Sequence, residues 1–543
     1  MKKLLLSILP VIFLTVTSCA DNKKENQEAT PVQDTVAAPE EMEFKVLDSK
    51  FIQKDSLMAP FAEAISQFPD ARYAEVKSLI FDKSIPEIQE AIAAGKLSYE
   101  ELSLFYLKRI QKFDRNNDLS LNSVISLNPN LLEEAREKDA KKSGREHPIF
   151  GIPVLLKDNI DTRNMPTTAG AVALQNNTTE DAFIVKKLKE NGALILGKAN
   201  LSEWAYFFCG DCPSGYSAVG GQTLNPYGRK IFDTGGSSSG SAVAVAANFA
   251  PVAVGSETSG SILSPSSQNS LVGLKPTIGV LSRGGIVPIS STLDTPGPIT
   301  KNVVDNAILL SAMTGEDAKD PATKNVKVIS DYQKELGAAS LKGKRFGAIK
   351  ALMKDSLYAR AVSDLKQAGA EVVEFEAEDI DLPNFTRLLN LDMQKDLPDY
   401  FRNYGGELEV SNVGDVYHYN SQVPSTRAPY GQSLFEGIMK DSASPEEFTA
   451  IKDTLKTNGK QFFDAPMQEY NLDGIVSINN YHAGYAAVAQ YPAITVPMGY
   501  AENGAPKGIT FFAKPFEEQE LLNWAKAYEE VSRRRKSPEN YDQ

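Results

Sequence analysis

Three features in the middle third of the chain carry residue types suited to making and breaking bonds. Lys157 ends the apolar run Pro153-Val154-Leu155-Leu156 and is followed by Asp158 and Asn159. A Gly/Ser run, Gly235-Gly236-Ser237-Ser238-Ser239-Gly240-Ser241, opens into Ala242–Ala247. A second polar turn, Gly255-Ser256-Glu257-Thr258-Ser259-Gly260-Ser261, follows the apolar residues from Val252. A serine hydroxyl becomes a nucleophile when a nearby base takes its proton. Histidine is the common base, yet the chain has only 3 His, at 147, 418 and 482. Lysine can serve instead if it is neutral, which requires lowering its pKa by about 3 pH units, or roughly 4 kcal/mol. Burial among apolar residues supplies a shift of that size, and Val154–Leu156 offers such surroundings for Lys157. The alternative is an ion-paired or snorkelling Lys157 beside Asp158.

The Gly/Ser composition alone would suit a flexible linker. Wedged between helix and strand signals, a floppy segment would leave buried backbone groups unpaired. A Gly/Ser turn that opens a helix instead presents N–H groups and hydroxyls to an anion or a developing oxyanion. No Gly-Lys-Ser/Thr ends the run, so it is not a phosphate-binding P-loop. Gly236-Ser-Ser-Ser-Gly240 has the letters of a nucleophile elbow, but that reading needs an acid and then a histidine downstream. Ser363-Asp-Leu-Lys366 has the SxxK spacing within a helical pattern and reads as a solvated helix face. The three histidines are not spaced as metal ligands, and each reads as a loop or surface residue. Tyr417, Tyr419, Tyr481 and Tyr485 are candidates either for a substrate cleft or for packing. Cys209 and Cys212 lack the second pair that a zinc site needs; a local disulfide and two free thiols both remain open.

The elements that must position these groups alternate along the chain. Ser84-Ile-Pro-Glu87 and Ser98-Tyr-Glu-Glu101 are capping boxes that start two helices. Further helices are expected at Leu131–Lys141, Ala182–Asn191, Ala242–Ala247 and Tyr358–Ala368. Strands are expected at Gly151–Leu156, Ala193–Gly197, Val252–Gly255 and Arg345–Ile349, as continuous apolar runs covered on both faces. This rhythm predicts an α/β fold in a single large domain. Residues from about 385 to 460 look more polar and irregular, as an inserted subregion.

The 543 residues are 42% apolar and 23% charged, proportions that exclude disorder and collagen-like repeats. A formal charge of −13 argues against a broad nucleic-acid surface. Met1-Lys-Lys3 and the apolar run Leu4–Val16 are too short for a membrane span and read as a secretory signal. Val16-Thr-Ser-Cys19 resembles the lipobox of bacterial lipoproteins. The expected organisation is a signal peptide over 1–18, a lipid-accepting Cys19, a polar tether over 19–45, and a catalytic body over 46–543. That order describes a protein held by its lipid at a bacterial cell envelope surface.

With these motifs in view, the segment from 147 to 305 resembles the amidase signature family. It reads "HPIFGIPVLLKDNIDT", "GGSSSGSAVAVAANFAPVAVGSETSGSILSPSSQNSLVGLKPT" and "LDTPGPITKNVVD". The resemblance extends outward to "AAGKLSYEELSLFYLKRI", "YPAITVPMG" and "PKGITFFA". "NLSEWA" and "GGSSSGSAVAVAAN" are similar to the bacterial peptide-amidase branch. The resemblance implies a central mixed sheet with helices on both faces and a serine amidase without metal or organic cofactor. It implies Lys157 as the buried general base, Ser237 as the serine at a cis peptide, and Ser261 as the nucleophile. It places the oxyanion hole at the N–H groups around Thr258, Ser259 and Gly260. The implied partner is a small-molecule or peptide amide, with no nucleic acid and no obligate protein partner.

Three positions depart from the family pattern. Ser259 stands where a glycine is usual, Glu257 where an aspartate is common, and Leu263 where an arginine is usual. The last puts in doubt a substrate-carboxylate clamp. It also weakens the reading as the glutamine-hydrolysing amidotransferase subunit, a cytoplasmic role that export opposes. A non-catalytic amide-binding lipoprotein is the rival from another class.

Overall fold

The computed structural model describes residues 40–542, apart from Asn116, Arg145 and Val328. The expected signal peptide, Cys19 and most of the expected tether lie outside the described residues. Residues from Glu41 onward form one compact unit, and Met42 and Lys45 already bond to it, through Lys230 O and the Tyr430 hydroxyl.

Thirteen strands occur among the described residues. They are β1 (Val124–Leu127), β2 (Pro153–Lys157), β3 (Leu194–Ala199), β4 (Tyr216–Ser217), β5 (Gly221–Gln222), β6 (Val252–Glu257) and β7 (Val272–Lys275). The rest are β8 (Thr295–Thr300), β9 (Arg345–Ile349), β10 (Glu371–Phe375), β11 (Gly474–Ile478), β12 (Ala493–Tyr500) and β13 (Pro506–Phe512). All but β4 and β5 share one sheet, in the order β1-β3-β2-β6-β8-β7-β12-β13-β11-β9-β10. It is mixed: β2 runs parallel to β3 and β6, and β8 runs antiparallel to β6 with Thr295 opposite Glu257. The carboxyl ends of β2 and β6 and the amino end of β8 therefore meet at one edge. Ligand sites in open α/β sheets form at such an edge.

The apolar runs of β2, β3, β6 and β11 are wholly buried, as strands packed on both faces must be. Helices Ile85–Ala93 and Tyr99–Phe113 begin at Ser84 and Ser98 with both capping boxes formed. The second buries Leu102, Phe105, Tyr106 and Ile110 at helical spacing. Helix Val303–Met313 is apolar nearly all round and almost entirely buried. The predicted helices Leu131–Lys141 and Tyr358–Ala368 and the strand Arg345–Ile349 stand where expected, the second as Ser356–Gln367.

Residues 385–460 correct the reading of an irregular subregion. They form helices Phe385–Asn403, Val413–Ser421, Pro424–Arg427 and Ser433–Lys440, then enter the long helix Pro445–Glu469. Their apolar faces, with Leu388, Leu397, Val416, Phe435 and Leu455, build a second core together with Trp204, Phe208, Val287 and Ile289. The polar composition reflects helices wetted on one face, and short helices leave too few turns for a clear period.

Candidate active site

Lys157 is the last residue of β2 and is fully buried. Its Nζ lies 2.8 Å from Ser237 Oγ and 3.0 Å from both the carbonyl and the hydroxyl oxygens of Ser256. Burial lowers its pKa to about 7, while the charges of Asp294 and Glu257 pull it the other way. The ion pair with Asp158 does not form. Asp158 instead pairs with buried Lys198 at 3.2 Å and accepts from Thr168. This leaves Lys157 among neutral oxygens.

Ser237 follows a cis Gly236–Ser237 peptide, immediately before helix Ser239–Ala246. Its carbonyl accepts from Ser202 N at 3.0 Å. Gly236 is needed here, because a Cβ would sit 2.5 Å from Ser202 Oγ. The segment after Ser202 is tightly wound: Trp204, Ala205 and Tyr206 all have φ between 51° and 77°. Left-handed backbone in residues with a Cβ costs roughly 1–2 kcal/mol each. The bonds from Trp204 N to Ala169 O and from Tyr206 N to Ser202 O hold it. Cys209 and Cys212, a few residues on, are joined as a disulfide with Cα atoms 5.8 Å apart.

Ser261 lies in the turn between β6 and helix Leu263–Gln268 and is 8% exposed. Its carbonyl accepts from Ser238 N at 3.1 Å, which lays the turn beside the Gly/Ser run. Glu257 reaches over the turn, and its Oε2 accepts from Ile262 N at 2.7 Å and Leu263 N at 3.0 Å. The glutamate at this position thus clamps the far side of the Ser259–Ser261 turn and satisfies two helix N-terminal donors. At the near side, Thr258 Oγ1 donates to Asp294 Oδ1 at 2.6 Å. The N–H groups of Ser259, Gly260 and Ser261 meet no acceptor among the described residues. Gly260 has φ +88°, which favours glycine; Ser259 is outside that region, so its Cβ is tolerated.

Leu263 points away from this polar turn. It is fully buried in an apolar cluster with Ile349, Phe375, Phe462 and Phe512. No charged group extends from this position towards a substrate.

Four further residues shape the site; Ser256, Asn159 and Asp294 stand inside the sequence motifs, but nothing local gave them or Asn480 a role. Ser256 touches the lysine, Asn159 Nδ2 donates to Ser256 Oγ at 2.9 Å, and Asp294 anchors Thr258 while accepting from Ile289 N and Ser290 N. Burial raises the pKa of Asp294. Asn480 lies against Gly260 from the other side, and a Cβ on that glycine would fall 3.0 Å from its Nδ2. A cavity of about 720 Å³ opens at the same sheet edge. Asn159, Ser256, Thr258 and Asp294 line it together with apolar Val287 and Ile289 and with Tyr400.

The remaining sequence candidates fall elsewhere. Ser363 and Lys366 lie on the exposed face of helix Ser356–Gln367. His482 stands in a turn, as read from the sequence, and is partly buried. It precedes helix Ala483–Ala489, its Nδ1 is 2.6 Å from Ser477 Oγ, and burial against Phe462 lowers its pKa to about 4. Tyr485 stacks on Phe462, and its hydroxyl donates to Ile380 O. Tyr417 bonds Glu436, and Tyr419 lies under the Arg427 guanidinium. Tyr481 is 58% exposed. Among the described residues no group of three or more His, Cys, Asp or Glu is arranged to hold a metal, and no helix is long and apolar enough to cross a membrane.

The family profile described as Amidase matches residues 101–428. A probable amidase of Arabidopsis thaliana is 36% identical over 480 residues, covering 84% of this chain and 92% of that protein. The crystal structure of an amidase family protein from Bacillus anthracis superposes with a TM-score of 0.86 at 40% identity, covering 92% of this chain and all of that one. The peptide amidase of Stenotrophomonas maltophilia superposes with a TM-score of 0.79 at 38% identity, covering 84% of this chain and 98% of that one. The chain belongs to the amidase signature family and is an amidase, a hydrolase of carbon–nitrogen bonds.

Proposed function

We propose that the chain is a serine amidase that hydrolyses small or peptide-like carboxamides through Lys157, Ser237 and Ser261. The observation that carries this reading is the buried Lys157, with a pKa near 7, held 2.8 Å from the Ser237 hydroxyl. The Ser256 carbonyl can only accept, so it takes one Lys157 N–H, and the Ser256 hydroxyl, already bonded by Asn159, takes the other. A neutral amine then has its lone pair left for the Ser237 proton.

The reaction follows from this arrangement. The Ser237 proton passes to Lys157 and the Ser261 proton to Ser237, while Ser261 Oγ bonds to the amide carbon. Negative charge grows on the carbonyl oxygen, and the unpaired N–H groups at Ser259–Ser261 stabilise it by several kcal/mol. Collapse breaks the C–N bond as the relay returns a proton to the leaving nitrogen. Water then repeats the cycle on the acyl-enzyme and releases the carboxylate. The likeness to the Stenotrophomonas peptide amidase supports peptide-like amides as the substrate class. Leu263 turned into the core disfavours the amidotransferase reading, as it supplies no clamp for a substrate carboxylate.

A serine-reactive fluorophosphonate tests the assignment. Labelling lost in Ser261→Ala supports it; an unlabelled wild-type protein supports a binding lipoprotein instead. The lipobox at Val16–Cys19 supports attachment at the bacterial envelope. Mass spectrometry of the mature N-terminus is expected to find lipid on Cys19, and an unmodified terminus further along rejects the anchor.

A further inference from the structure

The loop over 202–215 touches Ser237 but supplies no group to the proposed relay. Ser202 N donates to the Ser237 carbonyl at 3.0 Å, and Ser202 Oγ accepts from Gly215 N at 2.9 Å. The two ends of the loop are thus tied together against the Gly/Ser run. A Cβ on Gly236 would fall 2.5 Å from Ser202 Oγ and 3.5 Å from Ser214 Cβ. One on Gly215 would fall 2.8 Å from Thr234 Oγ1 and 3.2 Å from Ser239 Cβ. Packing this close passes a shift of either end directly to the Ser237 peptide. The loop between those ends is unfavourable by itself. Trp204, Ala205 and Tyr206 are left-handed, a conformation that residues with a Cβ avoid. Glu203 is a buried carboxyl whose Oε1 has no hydrogen-bond partner among the described residues.

Cys209 and Cys212 close the far end of this loop. Both are buried, beneath exposed Gly210 and Asp211. The Cys212 carbonyl accepts from the Tyr206 hydroxyl at 2.9 Å, which ties the bridge to the left-handed segment. The Cys209 carbonyl accepts from Ser433 Oγ at 3.0 Å and Phe208 O from Leu434 N at 3.1 Å, so the bridge also seats on helix Ser433–Lys440. We infer that the Cys209–Cys212 disulfide is a positioning element for Ser237. It keeps the 202–215 loop in the shape that fixes the Ser237 peptide, and turnover depends on it while the fold does not. This rests on the serine-amidase reading above. A dithiol reductant breaks the bridge: the S–S bond opens, each sulfur gains one electron and one proton, and the reductant closes to its own disulfide. Disulfides persist in oxidising compartments and are lost in thiol-rich ones, so turnover follows the surroundings of the chain. The loop meets the cavity at Ala205, and the other described lining residues belong to other segments, so binding should change little.

Fluorophosphonate labelling of Ser261 separates chemistry from binding without a chosen substrate. Its rate at saturation reports the first, and the probe concentration at half-saturation the second. In the full chain purified without reductant, iodoacetamide is expected to modify Cys209 and Cys212 only after dithiothreitol, read from peptide masses. Reduction is expected to lower the saturating rate about ten- to a hundredfold, the cost of a misplaced group in the relay. Half-saturation should stay within about twofold, far-UV circular dichroism should be unchanged, and reoxidation should restore the rate. The double variant Cys209→Ser with Cys212→Ser is expected to match the reduced wild type and to ignore dithiothreitol. A saturating rate retained in the reduced protein or in the double variant overturns the inference while leaving the amidase reading intact. A loss confined to half-saturation, or one accompanied by lost circular dichroism, overturns it as well, as do cysteines alkylated without reductant. Wild-type protein that never labels at Ser261 removes both.

Discussion

The protonation of Lys157 gives the most direct quantitative prediction. Its pKa of about 7, against an ordinary value of 10.5, reflects an interior that opposes the ammonium form. The difference corresponds to roughly 5 kcal/mol of differential stabilisation. If neutral Lys157 is the base, kcat/KM should rise about tenfold from pH 6 to pH 8 and level off above that, following one ionisation of the free enzyme. A lysine with its ordinary pKa would instead give a rate climbing about tenfold per pH unit through pH 9, without a plateau. Asp294 sharpens the test, because its negative charge is the stronger of the two that hold the lysine pKa up. Asp294→Asn removes that charge while keeping an acceptor for Thr258. The acid limb should then move to lower pH. The assay is kcat/KM for one carboxamide from pH 5 to 10 at constant ionic strength. A limb that stays in place or moves upward in Asp294→Asn, or a profile with no plateau, refutes the reasoning.

Three further outcomes are expected. Lys157→Met should abolish turnover yet stabilise the fold by about 1–3 kcal/mol near pH 6, since an apolar side chain replaces a buried cation. The wild-type protein holds fewer protons at this site than its unfolded chain between pH 7 and 10.5, so this contribution to stability rises with pH across that window; denaturant titrations at several pH values measure both effects. Glu257→Ala frees the N–H groups of Ile262 and Leu263, and turnover should fall about a hundredfold with a loss of roughly 1–3 kcal/mol, by kinetics and by urea unfolding. Leu263→Arg restores the residue usual in the family but buries a cation among aromatic side chains, so it should lower stability by several kcal/mol and give no new affinity for carboxylate-bearing amides.

What the sequence disclosed and what it withheld divide along physical lines. Strands β2, β3 and β6 were legible because a buried strand must be apolar throughout, and Ser84 and Ser98 because a capping box is a local hydrogen-bond pattern. Lys157 and Ser237, 80 residues apart, were legible because each follows a local signal, the end of an apolar run and a Gly/Ser turn. Asp294, Asn159 and Asn480 were not. Asn159 and Asp294 stand inside the quoted motifs, but nothing local gives them a role, and only the tertiary fold brings the ends of β2, β6 and β8 and the turn after β11 together. The partial burial of His482 was not legible, because it depends on Phe462, twenty residues earlier on the helix Pro445–Glu469. The helices from 385 to 460 were missed because their apolar faces are complementary to loops far earlier in the chain.

That second apolar core separates two kinds of heritable change. The strand ends bearing Lys157 and the Ser259–Ser261 turn are fixed by the main sheet, whereas Val287, Ile289 and the helices over the cavity are packed in the other cluster. Descendants of such a gene can remodel the cavity wall one apolar residue at a time while Lys157 and the serines beside it stay in place. New diets of amides then come within reach of an old reaction.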